Sequence, residues 1–487
     1  MGLLPRRLGW VMAVRPVAAE LGRGRSDRAP ARTPSRLALG ILVVVVVCFA
    51  AFATSRMFPP QPYGLADDWR VFYAAASVVH HGGSPYDPAL IHPAEQAADH
   101  YPSVQPSLDD YVNLPIVAWL LQPITALPFW VSYAVAALLG LAAAGVAMHA
   151  WLRRWGWRDP VRWTLVALLS WPALLGVFSG QFDLLLLAML VAGLMWSFRR
   201  HPGAAGAVCM GAALIKPHVL WPLPVLLIAS QLPERRAFLR CGLSAAATAV
   251  ACVAGGELLM PGTTRAFLSH LLTFGGRISS VQPDLSGLPG LVAHLPAGPL
   301  LGAAVTGCGA IITLGFACFW ALSRRARSLP PDLRMALGVG AGLAIWLAAT
   351  PYAHPNDDVL LFPLLALVLG PGAAAISERH LSVALAGCLA LIAAFVLTPV
   401  LGVVLVVAIA ATVWQRRTAT GHSGLAAASL NGLALLPMVW PFHVLPVSLT
   451  PLAVLVAAVA GVELVRRTLT SERDVPVLAR RQDDLLA

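Results

Sequence analysis

Long apolar runs alternate with short polar breaks along most of the chain. "LALGILVVVVVCFAAFAT" (37–54) and "LLGAAVTGCGAIITLGFACFWAL" (300–322) are two of them. Each approaches the ~20 residues that a helix needs to cross a bilayer. Further spans are predicted over 129–151, 162–178, 182–198, 241–259, 299–322, 332–350, 358–373, 382–397, 400–414, 425–440 and 446–465. Two shorter apolar pieces, 203–215 and 219–230, are joined by Lys216-Pro217-His218 and flanked by arginines, and they read as a hairpin returning to the cytoplasm. The stretch 113–128 is apolar but broken by Pro115, Pro123 and Pro128, and suits a re-entrant or half-membrane piece. Backbone groups in lipid must pair within their own segment. The pattern therefore predicts an all-α polytopic integral membrane protein with about 12–14 membrane helices, not a barrel.

The polar segments divide the chain further. Residues 1–36, rich in Arg, Pro and Ala, read as a disordered basic cytoplasmic tail; 37–465 is the transmembrane domain, and 466–487 a second cytoplasmic tail. The domain carries a long first extracytoplasmic loop, 55–112, and a second one, 260–298. In the first loop Trp69, Phe72, Tyr73 and Ala76 recur every three to four residues, as in an amphipathic interfacial helix, until Gly82-Gly83 and Ser84-Pro85 stop it. The first span reads as uncleaved.

Composition agrees: 58% of residues are hydrophobic and 12% charged, too apolar for a soluble chain. The net charge of +11 would suggest nucleic acid in a soluble protein. Here 29 of 33 arginines fall in alternate loops and the two tails, leaving Arg56, Arg70, Arg265 and Arg277 in the loops between. That is the positive-inside pattern, with both termini cytoplasmic, so the basic surplus reflects topology and no nucleic-acid partner is expected. The seven cysteines lie in or beside apolar spans without a CxxC, so neither disulfides nor a zinc site is expected.

The candidate chemistry is sparse. Asp67 and Asp68 open the amphipathic segment of the first outside loop. Either suits a general base with a pKa raised near hydrocarbon, either suits a helix N-cap, and the pair suits a hard divalent cation. Lys216 is the single lysine, set in an apolar stretch at the hairpin apex, where an ionisable group marks either a functional site or a snorkelling side chain. "TPYAHPNDDVLLF" (350–362) brings His354, Asn356, Asp357 and Asp358 together between two spans; capping accounts for one aspartate and leaves His354 and Asn356 unexplained. In "SGQFDLL" (179–185) Asp183 reads as structural, and Gln181 is open.

"DDWRVFYAAASVVHHGGSPYDP", "YVNLPIVAWLLQPITALP", "SGQFDLLLLAML", "GAALIKPHVLWPLPVLL" and "TPYAHPNDDVLL" occur in this order. Together they resemble glycosyltransferase family 87, over roughly residues 38–420. That family contains polyprenol-phosphate-mannose-dependent α-mannosyltransferases of actinobacteria, some acting on phosphatidylinositol mannosides. The resemblance implies a GT-C membrane fold, a lipid-phosphate sugar donor and a catalytic acid in the first extracytoplasmic loop. On the matching position that acid is Asp68, four residues before Phe72, with Asp67 one residue out of register. Asn113-Leu114-Pro115 replaces the usual Pro-Pro, and the 350–358 loop has His354 and Asn356 where the mannolipid enzymes tend to have Ser-Trp and His-His patterns. Both departures bear on which sugar and acceptor are used.

The expected activity is an inverting, metal-independent transfer of a sugar, mannose first, from a polyprenyl phosphate to a lipid or glycan acceptor in the cell envelope. No cofactor is expected. Asp68 is the expected base; Lys216, Arg70 and His354 the donor-phosphate ligands; Asp67, Tyr73, Gln181, Asn356, Asp357 and Asp358 the sugar or acceptor contacts. The plasma membrane is the expected location, with the active site extracytoplasmic. The opposing class is a non-enzymatic flippase or carrier of polyprenol-linked sugars, which would use the same cavity and lysine but need no acid at position 68.

Overall fold

The computed structural model describes residues 65–99, 111–157, 159–278, 285–292, 297–369 and 450–470. The expected first span at 37–54, those at 382–397, 400–414 and 425–440, and the tail 1–36 lie outside the described residues. Among the described residues every regular element is a helix. The first is α1 (Asp67–His80), followed by α2 (Pro88–Asp99) and α3 (Pro115–Leu121), which runs into a 3-10 turn at Gln122–Ala126. Next come α4 (Phe129–Arg154), α5 (Pro160–Leu168), α6 (Trp171–Ser179), α7 (Asp183–Phe198), α8 (Pro202–Ile215), α9 (Pro217–Leu220) and α10 (Pro222–Ser230). The chain continues through α11 (Arg235–Leu259), α12 (Thr263–Ile278), α13 (Leu288–Val292), α14 (Gly298–Leu322), α15 (Arg324–Ser328) and α16 (Pro331–Ala349). A 3-10 turn at Pro355–Leu361 leads into α17 (Phe362–Leu369), and α18 (Thr450–Thr470) closes the described chain.

Four of these helices, α4, α11, α14 and α16, are long and apolar enough to cross a membrane. The pair α5 and α6 is bent by 52°, as a broken span or a re-entrant loop, where 162–178 was expected to be one continuous span. Pro172 explains the break, because it has no N–H for the helical ladder. The protein is an all-α polytopic membrane protein.

Helix α16 is the centre of the bundle: 78% of its most apolar window is buried, against 11–22% for α4, α11 and α14, whose outer faces carry Leu138, Leu243, Val250 and Ile311. Lipid is as apolar as leucine, so close packing of small residues, more than hydrophobicity, draws such helices together. A Cβ on Gly206 of α8 would stand 2.3 Å from the Cys241 carbonyl oxygen of α11, so that crossing is backbone against backbone. Gly309 of α14 leaves room for the methyl group of Ala349 on α16.

The two ends of the bundle differ. At the arginine-rich end Arg334, 4% exposed, donates to Glu234 Oε1 at 3.0 Å and to the Ser230 carbonyl at 2.8 Å, while Arg154 pairs with Asp332. These contacts tie α4, α10 and α16 together. At the arginine-poor end the starts of α1 and α7, the hairpin apex and the 354–358 turn converge on the polar residues described next.

Candidate active site

Helix α1 begins without a side-chain cap. Ala66 takes a left-handed conformation (φ 62°) and its N–H donates to the Phe178 carbonyl at 2.8 Å, so the chain enters the helix directly at Asp67. Neither Asp67 nor Asp68 is therefore the N-cap; both occupy the first turn, where the helix dipole favours a carboxylate. The two acids then part. Asp67 pairs with Arg70 Nη1 at 3.1 Å, one turn along the helix. Asp68 accepts a hydrogen bond from the Gln181 side chain and lies within electrostatic reach of His354, Lys216 and Asp183.

What presses α1 into place is the turn after α6. Gly180 sits at φ 79°, and a Cβ there would stand 2.5 Å from Trp69 Cβ. Trp69 is 2% exposed and its indole N–H donates to Ser132 Oγ at 3.0 Å. Trp69 therefore does not lie at an interface as the amphipathic spacing suggests, since its ring is enclosed by Phe72 and Phe182. Gly180→Ala combines a left-handed penalty of about 1–2 kcal/mol with a clash against the α1 backbone. We expect it to lower turnover more than it lowers the unfolding midpoint, because the clash displaces the start of α1 and with it Asp68.

Lys216 ends α8, where Pro217 breaks the helix. Its ammonium donates to Asp183 Oδ1 at 2.9 Å and Asp357 Oδ1 at 2.6 Å, and the two carboxylates are completely buried. Asn356 Nδ2 donates to the other oxygen of Asp183, and the His354 N–H donates to Asp357 Oδ2 at 2.9 Å. One ammonium thus fastens three segments: the start of α7, the apex of the α8–α10 hairpin, and the 354–358 turn. Asp357 does cap that turn, while also holding Lys216. Asp358 is buried beside Ser286, away from any cationic partner among the described residues.

Of the residues expected in the site, the structure brings Asp68, Gln181, Lys216, His354, Asn356 and Asp357 to this end. Tyr73 turns elsewhere, its hydroxyl donating to the Leu127 carbonyl at 2.9 Å and its ring packed on Phe129. Arg70 is held by Asp67. Asp183, read from the sequence as structural, is a central member of the cluster. The sequence signal for it was the single lysine, which when buried requires a carboxylate partner. His218 was also missed; its ring lies against Tyr352, and Tyr352 against His354, which aligns the hairpin apex with the 350–358 loop.

Desolvation is the largest influence on Asp68 and pushes its pKa up from the usual carboxylate range, although part of the residue reaches solvent; His354, Lys216 and the Gln181 hydrogen bond oppose the shift without cancelling it. A group of this kind can take a proton from a hydroxyl. Residues 111–351 match the family model of glycosyltransferase family 87. The chain belongs to glycosyltransferase family 87. This family 87 chain carries Gln181, Asp183 and Lys216 inside the matched span, with Asp68 and the 354–358 turn on either side of it. No curated protein matches the chain.

If Asp68 acts as the base, activity falls as pH drops through its folded pKa. Because that pKa is raised, the acid limb of the turnover–pH profile of this family 87 member is expected above the value of about 4 for a free aspartate. A limb at or below that value would contradict the assignment.

Proposed function

We propose that the protein transfers a sugar, mannose first, from a polyprenyl phosphate to a lipid or glycan hydroxyl at the extracytoplasmic face of the plasma membrane, with inversion. The observation that carries the reading is the placement of Asp68: a carboxylate with a raised pKa, hydrogen-bonded by Gln181, at the arginine-poor end where α1 meets the start of α7, the hairpin apex and the 354–358 turn. The arginine distribution supports an extracytoplasmic position for that end and cytoplasmic termini. The bundle accords with a GT-C arrangement.

In this mechanism the acceptor oxygen attacks the anomeric carbon while the bond from that carbon to the phosphate oxygen breaks. The acceptor proton passes to Asp68, and the electron pair leaves on the polyprenyl phosphate. Gln181 keeps the carboxylate oriented. The leaving phosphate needs positive charge. Lys216 already serves two carboxylates, so its part is to position Asp357 and the His354 loop; His354 is the residue for the phosphate. Asn356 and Asp357 face the same cluster and suit sugar hydroxyls. Asp67 balances Arg70.

The test is transfer in membranes carrying the protein, supplied with radiolabelled polyprenyl-phosphate mannose and total lipid extract, with and without chelator. Label appearing in a new glycolipid, insensitive to chelator, supports the reading. Loss with chelator would make the acids a metal site. Labelled lipid that crosses the bilayer with no sugar transferred would make the protein a carrier.

A further inference from the structure

The Lys216 apex has an anchor that no catalytic argument has used. Helix α8 stops at Lys216 (φ −132°, ψ 73°) because Pro217 follows and has no N–H. The Val219 N–H then bonds to the Lys216 carbonyl at 3.2 Å in place of the Ile215 carbonyl it would have reached in a continuous helix. A backbone acceptor left open in an apolar interior costs free energy unless a donor reaches it. Asn113 supplies that donor: its Nδ2 lies 2.6 Å from the Ile215 oxygen, across 102 residues of sequence. The residue is 8% exposed, and its own carbonyl accepts from Tyr86 Oη at 2.5 Å.

We infer that Asn113 is a positioning residue: its amide completes the broken turn at Ile215–Lys216 and so fixes where the ammonium stands between Asp183 and Asp357. A displaced Ile215 carbonyl moves the next residue, and Lys216 carries the only ammonium that holds the 354–358 turn against α7. The link also runs outward, since Tyr86 lies in the "SPYDP" turn of the first loop. Asn113 therefore couples that loop to the apex through two hydrogen bonds in series. It touches no substrate in this scheme and acts through Lys216. The effect on turnover rests on the transferase reading given above; the hydrogen bond does not.

Two variants of the full-length protein test it. Asn113→Ala removes the donor and is expected to lower kcat roughly tenfold, the scale of one buried group left unpaired, with KM for polyprenyl-phosphate mannose within about twofold. Asn113→Asp is nearly isosteric and can donate to Ile215 only when protonated. Its turnover relative to wild type is expected to rise as pH falls, and the gap between the two unfolding midpoints to narrow over the same range. A structural role alone would move the midpoints and leave the kcat ratio flat with pH. Should Asn113→Ala fail to fold, the aspartate variant still carries the test. Wild-type-like kcat in both variants, or a turnover ratio and midpoint gap independent of pH, would overturn the inference. A wild type that transfers no sugar overturns the functional reading instead, and the pH-dependent midpoint gap still reports on the Asn113–Ile215 bond.

Discussion

Lys216→Met is expected to destabilise the protein by about 3–5 kcal/mol, the cost of leaving buried carboxylates without their counter-charge. Both partners are completely buried, and the ammonium sits 2.9 and 2.6 Å from them, so solvent cannot take over its role. The methionine keeps the side-chain volume, which isolates charge from packing. The companion experiment removes the whole group: Lys216→Met with Asp183→Asn and Asp357→Asn is expected to recover most of the stability, because replacing a buried ion set by neutral side chains of similar shape is often close to neutral. Unfolding midpoints in detergent, read by tryptophan fluorescence, measure both. If the single variant is as stable as wild type, the three groups do not share one charge balance. If the triple variant is no better than the single one, the loss comes from packing.

Asp68→Asn is expected to lower the transfer rate about 10²–10⁴-fold, the usual contribution of a positioned general base. Its effect on stability should have the opposite sign. The folded state raises the Asp68 pKa, so above that pKa the ionised carboxylate works against folding. That contribution favours the fold at low pH and is lost as pH rises through the folded value. At neutral pH the asparagine variant should therefore unfold at a slightly higher midpoint than wild type while being inactive. A variant that is inactive and less stable would point to structural damage. Asp67→Asn removes only the ion pair with Arg70 and is expected to retain most activity.

Much of the architecture was legible because apolar runs and arginine placement are strong signals. The predicted spans at 129–151, 241–259, 299–322 and 332–350 correspond to α4, α11, α14 and α16, the 182–198 span is the shorter apolar helix α7, and 113–128 is the short helix and 3-10 turn its prolines implied. The hairpin with Lys216 at its apex was readable from two short apolar pieces between basic flanks. The partners of Lys216 were not. Asp183 stands 33 residues away and Asp357 141 residues away, and nothing local distinguishes an aspartate that caps a helix from one that holds a buried ammonium. Asp357 does both. The fate of the aromatics was hidden for a similar reason: Trp69 and Tyr73 lie on a helix whose spacing suits an interfacial position, and only the Gly180 turn and Ser132 show that Trp69 is enclosed. Asn113 stood out in sequence as a departure at the start of a proline-broken segment, but its partner is a main-chain carbonyl, to which residue type gives no clue.

The most direct measurement uses the purified protein in liposomes with radiolabelled polyprenyl-phosphate mannose and a lipid acceptor extract, comparing wild type, Asp68→Asn and Asp67→Asn side by side. The predicted result is a labelled glycolipid with wild type and Asp67→Asn and none with Asp68→Asn, whose unfolding midpoint is not lowered. Label transferred at the wild-type rate by Asp68→Asn would contradict the assignment of the base, and label that is never transferred by the wild type would contradict the proposed reaction.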